Sequence, residues 1–208
     1  QVNISSLPAT ITQDFNSLAT SGTNNPWSDS TTLPGWYSTR TAYRAGDGSS
    51  TTGALYSFGT GTASDRALGS IASGTTGTIF FGIRLKNNTT QTITSLQITY
   101  TGEQWRNGGR TDDDSLHFSY QIGATVSDLT SGTWTTDNDL SFVGPIKTST
   151  ASALDGNQPA NRTPKTKTLT VSIAPSQEIM LRWTDFNSPG SDHGLAIDDI
   201  TILASAAP

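Results

Sequence analysis

The chain carries few residues able to move a proton. Glu occurs only at Glu103 and Glu178, His only at His117 and His193, and Cys not at all. A glycosidase needs two carboxylates facing each other across a cleft. No second Glu lies on a strand matching Glu103, and Glu178 opens a separate hairpin. A nucleophilic triad would have to draw its base from His117 or His193, and neither belongs to an elbow motif. Glu103-Gln104-Trp105-Arg106 reads instead as a structural corner, with Trp105 packing and Arg106 bonding the carboxylate. His193, between Asp192 and Gly194, reads as a loop residue bonding a neighbouring carboxylate or carbonyl. No catalytic residue is assigned, and the chain is expected not to be an enzyme.

The remaining chemistry lies in aspartates and tryptophans. In Leu195 to Leu203, Leu195 and Ile197 share one parity while Ile200 and Ile202 share the other, and Asp198-Asp199 fall at the switch. A β-bulge there restores the inward face. An acid flanked by apolar residues needs a partner: a calcium ion, an arginine such as Arg182, or N–H groups freed by the bulge. With hard oxygen ligands and no His or Cys among them, the metal would be Ca²⁺. No cofactor is required by this reading, and a structural calcium is the one ion entertained. Asp112-Asp113-Asp114 is a second acidic run, either gathering a cation or simply solvated. Trp27, in the loop Asn24 to Asp29, is the best candidate for an exposed sugar-stacking platform, with Asn25 and Asp29 as its polar neighbours. Trp183 alternates with Leu181 and Ile179 and belongs to the core; Trp36, Trp105 and Trp134 read as core or corner packing.

Strands must position these groups. Period-two alternation runs through Ile79-Phe81-Ile83-Leu85, Leu116-Phe118-Tyr120-Ile122, Leu96-Ile98-Tyr100, Leu169-Val171-Ile173 and Ile179-Leu181-Trp183. The last two are separated by Ala174-Pro175-Ser176-Gln177 and read as a hairpin. Less regular strands are expected over Ala9 to Phe15, Trp36 to Arg40, Leu55 to Phe58 and Ala67 to Ile71, with turn clusters between. The expected fold is all-β: a two-sheet antiparallel β-sandwich of jelly-roll type with about ten strands. Residues 1–208 form one domain, and residues 1–15 are expected to supply an N-terminal strand that pairs in cis or with a neighbouring subunit.

Composition agrees. Of 208 residues only 14% are charged and 33% apolar, while Ser and Thr together number about 60; both compete with the helix backbone. The net charge of −5 and the lack of any Lys/Arg cluster give no footprint for nucleic acid. No apolar run approaches the ~20 residues of a membrane span. Gln1 at the start reads as the end left by signal-peptide removal, so secretion to the cell surface or medium is expected.

The segment Trp183-Thr184-Asp185-Phe186-Asn187-Ser188-Pro189-Gly190-Ser191-Asp192-His193-Gly194-Leu195-Ala196-Ile197-Asp198-Asp199 resembles the C-terminal signature of an exported bacterial β-sandwich accessory domain. Such domains accompany extracellular nucleases, calcium-rich surface proteins and sorting-tail proteins. Asp14-Phe15-Asn16-Ser17-Leu18, Thr101 to Arg106 and Ala153 to Asn157 fit the same pattern, and Ala204 to Pro208 looks like the linker before a sorting tail. Asp14-Phe15 and Ala196 to Ile200 also look like the ends of MAM-type and carbohydrate-binding jelly rolls, although the MAM cysteines are absent. There, first and last strands lie close and their acids often hold a metal; by that resemblance Asp14, Asp198 and Asp199 are the candidate calcium ligands. The resemblance implies an accessory domain without established chemistry. Two functions follow as expectations. One is a structural or adhesive surface protein that self-associates, as homo-oligomer or polymer, by strand donation. The other is a carbohydrate-binding module for extracellular polysaccharide.

Overall fold

A computed structural model describes residues Gln1–Pro208. Strands are numbered in chain order. The front sheet has seven: β1 (Val2–Ile4), β4 (Trp36–Ser38), β8 (Ile79–Asn87), β10 (Ser115–Gly123), β11 (Thr135–Thr136), β12 (Phe142–Val143) and β15 (Glu178–Asp185). The back sheet has nine: β2 (Ala9–Gln13), β3 (Asn25–Pro26), β5 (Ala42–Gly46), β6 (Ala54–Phe58), β7 (Ala67–Ile71), β9 (Ile93–Asn107), β13 (Ser152–Ala153), β14 (Arg162–Ile173) and β16 (Gly194–Ala206). Pairing is antiparallel except for β1 on β8 and β5 on β6. This is the two-layer sandwich that the alternation demands.

The inward residues of the two sheets form one core. Ile79, Phe81, Ile83 and Leu85 of β8 meet Leu96, Ile98 and Tyr100 of β9 and Ile197, Ile200 and Ile202 of β16. Trp183 sits at its centre, stacked on Trp36 at 6.0 Å and edge-on to Phe118 and Tyr100 at 5.3 and 5.5 Å. Each such buried side chain contributes roughly 1.5–3 kcal/mol over its exposed state, so this cluster sets the stability of the domain.

The register of β16 against β9 slips between Asp198 and Thr201, and Asp199 takes φ +48°. Leu195 and Ile197 before the slip, and Ile200 and Ile202 after it, are all buried. The bulge read from the parity break is therefore present, and it turns Asp199 toward solvent.

The hairpin expected across Ala174 to Gln177 is not formed. β14 pairs with β9 in the back sheet and β15 with β8 and β10 in the front sheet. The turn carries the chain from one layer to the other. The apolar faces of the two strands meet across the core instead of lying side by side.

The N-terminal segment pairs within its own molecule. Val2 to Ile4 lie beside Leu85 to Asn87, and Ala9 to Gln13 beside Ile200 to Ala204. Donation to a neighbour would require withdrawing Ile4, 2% exposed, from the core. Deleting residues 1–4 is expected to cost about 2 kcal/mol while leaving the size distribution unchanged, read by urea unfolding and sedimentation.

Candidate functional site

The outer face of the front sheet gathers partly exposed rings and arginines around Thr184 and Ser119, which are themselves buried. Register places Phe80, Thr184 and His117 in one row and Tyr37, Gly82, Arg182, Ser119 and Thr136 in the next. Their inward neighbours Phe81, Trp183 and Phe118 fill the core, so strand alternation turns this set outward. The loop 124–134 crosses part of the face: Val126 and Leu129 pack on Met180, against Tyr37, Phe80 and Trp134. The guanidinium of Arg182 lies 3.8 Å from the Trp134 ring centroid and 5.0 Å from that of Phe80, close enough for cation–π attraction to both. Its Nε donates to Ser119 Oγ at 2.8 Å and its Nη1 to the Leu129 carbonyl at 2.6 Å. Arg84 lies 5.9 Å from the Tyr37 ring centroid, and its Nη1 donates to the Tyr37 hydroxyl at 3.2 Å. Phe186, 50% exposed, continues the outward parity of β15 and meets His117 edge-on at 5.1 Å. Val143, 45% exposed, stands opposite Ser115 on the neighbouring strand. Phe186 and Val143 are the two large apolar side chains most open to water. The result is a surface of half-buried rings and arginines that opens to water at Phe186 and His117.

The expected platform at Trp27 is not there. Trp27 is 6% exposed, its ring edge-on to Tyr43, and its Nε1 donates to Asp29 Oδ1 at 2.9 Å. Asp29 Oδ1 also accepts from the Ser38 N–H, and the Asn25 amide donates to the Ser21 and Gly22 carbonyls. The three residues brace a loop, and the ring has no open face for a sugar. Phe80 escapes the sequence reading because it lies between the inward Ile79 and Phe81, while Trp134, read as core or corner packing, is half-buried against Arg182 and Leu129.

The acids divide into two buried groups. In the first, Glu103 Oε2 accepts from Trp105 Nε1 at 3.0 Å and Oε1 from Arg162 at 2.9 Å. Arg106 instead donates to the Gly48 carbonyl at 3.0 Å, which corrects the expected Glu103–Arg106 bond. Glu103 pairs with Ala196, so Asp198, two residues on along β16, lies beside it. Burial, Glu103 and Asp199 together push the Asp198 carboxyl up to about 9, and burial pushes Glu103 up to about 7 despite Trp105 and Arg162. Arg182, considered as a partner for Asp198, stands on the other sheet. Asp14 and Asp199 line a shallow cavity of about 360 Å³, while Asp198 is buried behind them with Oδ1 accepting from the Asp199 N–H at 2.7 Å.

The second group closes one end of the sandwich. Asp185, at the end of β15, accepts from Ser70 Oγ of β7 at 2.6 Å. Asp192 Oδ1 accepts from Arg110 at 3.1 Å and from the Ser188 N–H at 3.2 Å. Asp114 accepts from the Ser115 and His193 N–H groups. Its neighbours split: Asp113 pairs with Lys147 on the surface and Asp112 is exposed, so the acidic run does not act together. His193, read as a loop residue, is fully buried, and its Nδ1 accepts from the Gly108 N–H at 2.9 Å. Burial and Arg110 lower the imidazole to about 4, leaving it neutral with its proton on Nε2. In neither group do three acid or imidazole side chains converge on one point as metal ligands.

No protein-family profile matches the chain, and no curated protein is significantly similar to it. Among solved structures, the K2 cleaved adhesin domain of Lys-gingipain shares 13% identity over 93% of this chain and 97% of its own, with a TM-score of 0.45. The K3 cleaved adhesin domain from Porphyromonas gingivalis W83 shares 14% identity over 70% of this chain and 77% of its own, with a TM-score of 0.41. The CBM22-1–GH10 modules of xylanase 10B from Clostridium thermocellum, complexed with xylohexaose, share 12% identity over 84% of this chain, with a TM-score of 0.39. This chain spans only 27% of that structure's length. Strand pairing within this chain defines its class, an all-β two-sheet sandwich. No helix is long and apolar enough to cross a membrane.

Proposed function

We propose that this chain is a non-catalytic binding domain of adhesive type that works outside the cell, and that the outer face of the front sheet holds an extracellular polysaccharide. The carrying observation is the cluster of partly exposed rings Tyr37, Phe80 and Trp134 around Arg182, with the exposed Phe186 and His117 beside it. Rings stack on the apolar faces of sugars, and neighbouring polar groups bond the hydroxyls. The Glu and His inventory supports a non-catalytic reading, since Glu103, Glu178 and His193 are buried and tied into fixed hydrogen bonds. Self-association by N-terminal donation gains no support from strands already paired in cis. A structural calcium at Asp14, Asp198 and Asp199 stays a proposal about stability, tested by the melting temperature with calcium and with chelator.

A panel of insoluble and soluble polysaccharides tests the binding face. Retention of the intact chain by at least one polymer is expected. Phe80→Ala with Trp134→Ala should weaken it tenfold or more, at about 1–1.5 kcal/mol per ring, with Trp27→Ala unchanged once folding is verified. No retention by any polymer, or equal retention by the double variant, would overturn the reading.

A further inference from the structure

Asp114, Asp185 and Asp192 gather at the buried end of the sandwich, where Arg110 donates to Asp192 and stands near Asp114. His193 brings no charge, because the Gly108 N–H occupies its Nδ1. With all three acids ionised, two negative charges would stand beyond the one Arg110 balances, and burial accordingly holds the Asp185 and Asp192 carboxyls above the usual carboxylate range. Two carboxylate oxygens there have no hydrogen-bond partner, Asp185 Oδ1 and Asp192 Oδ2, and both side chains are fully buried. An unpaired buried carboxylate oxygen is among the least stable arrangements a protein can hold. Asp114, by contrast, has both oxygens engaged by backbone N–H groups.

The chain joining the two free oxygens has a suitable form. Asp185-Phe186-Asn187-Ser188-Pro189-Gly190-Ser191-Asp192 sets oxygen side chains at its first, third, fourth, seventh and eighth positions and Gly at its sixth, where φ is +85°. Calcium sites generally combine side-chain oxygens with backbone carbonyls and water, and the EF-hand loop shares with this shorter segment an acid at the first position and a glycine at the sixth for the sharp turn.

We propose that Asp185 and Asp192 are the two carboxylate ligands of a calcium site at this end of the sandwich, with loop 186–191 carbonyls and water completing the shell. A divalent ion cancels the two excess charges and engages both free oxygens. Because only two carboxylates contribute, the site does not need three converging acid side chains, which this end lacks. The free Nε2–H of His193 is a donor; it cannot ligate the ion and would bond a ligand or bound water from the second layer. The site is separate from the Asp14, Asp198 and Asp199 corner and does not depend on the polysaccharide reading.

The test is calcium binding to the chelator-treated full chain, by calorimetry and by terbium emission sensitised through Trp183, two residues before Asp185. Binding is expected, with affinity reduced tenfold or more in Asp192→Asn and in Asp185→Asn, and unchanged in Asp198→Asn. Asp192→Asn retains an acceptor for Arg110 and Ser188, and its near-ultraviolet circular dichroism verifies that it has folded. Absence of binding to the wild-type chain overturns the proposal. So does binding that survives in both Asp185→Asn and Asp192→Asn, or that is lost only in Asp198→Asn.

Discussion

In calcium-free buffer, Asp198→Asn is expected to stabilise the domain by about 2–4 kcal/mol at pH 8 and to change little near pH 4. Asp198 is 1% exposed and lies beside Glu103 and Asp199, and burial first, then those two charges, push its carboxyl up to about 9. The sign follows from proton linkage. The folded chain holds a proton that the unfolded chain releases near pH 4, so the associated stability is complete below that value. It is lost as pH rises toward and through about 9. Asparagine imitates the protonated acid: its Oδ1 can still accept from the Asp199 N–H, and it carries no charge to repel Glu103. Urea midpoints measured from pH 4 to pH 9 should fall steeply for the parent and shallowly for the variant. Equal slopes would show that Asp198 is ionised and partnered in the folded state.

Glu178→Ala is expected to cost about 3–5 kcal/mol, the penalty for leaving one member of a buried pair alone. Arg84 grips Glu178 through two bonds of 2.9 Å, and the same carboxylate accepts from the Val126 N–H at 2.8 Å. Glu178 therefore joins the front sheet to the loop 124–134, whose far end carries Trp134. Removing it should loosen the binding face as well as the fold, so polysaccharide retention should fall with stability. Burial raises this carboxyl, but Arg84 and the Val126 N–H outweigh it and hold the group below the usual carboxylate range. Its contribution is present above the unfolded value and is lost as pH falls through the folded one. The urea midpoint of Glu178→Gln should accordingly fall less steeply than the parent's as pH is lowered through the carboxylate range. Asp198 and Glu178 thus bound the stable range from opposite sides.

Alternation made the layers legible, and its failures were equally instructive. The parity break at Asp198-Asp199 located a bulge because both flanking apolar pairs had to reach the same core. The same rule already placed Asp185 inward, as the next member of Ile179, Leu181 and Trp183, yet its acidic character hid it behind the more obvious Asp198. The turn at Ala174 to Gln177 misled because its length and proline suit a hairpin, and only long-range pairing decides whether two strands share a sheet. Trp27 misled because a Pro-Trp loop rich in Asn and Asp looks solvated, whereas Asp29 and Tyr43 hold the ring inside. The Glu103–Arg162 and Ser70–Asp185 contacts join positions 59 and 115 residues apart, beyond any local pattern.

On the proposed adhesive reading, the place of β16 bears on how the domain would carry load. The strand is flanked by β9 along nearly its whole length and by β7 and then β2 on its other side. Tension applied along its C-terminal end runs parallel to the strand and across many backbone hydrogen bonds at once. Extraction must shear these ladders together, because no edge lets them peel open singly. A ligand held on the front sheet and a pull on β16 would place the core between the two points of attachment. Under force such a module should release its ligand before it unravels.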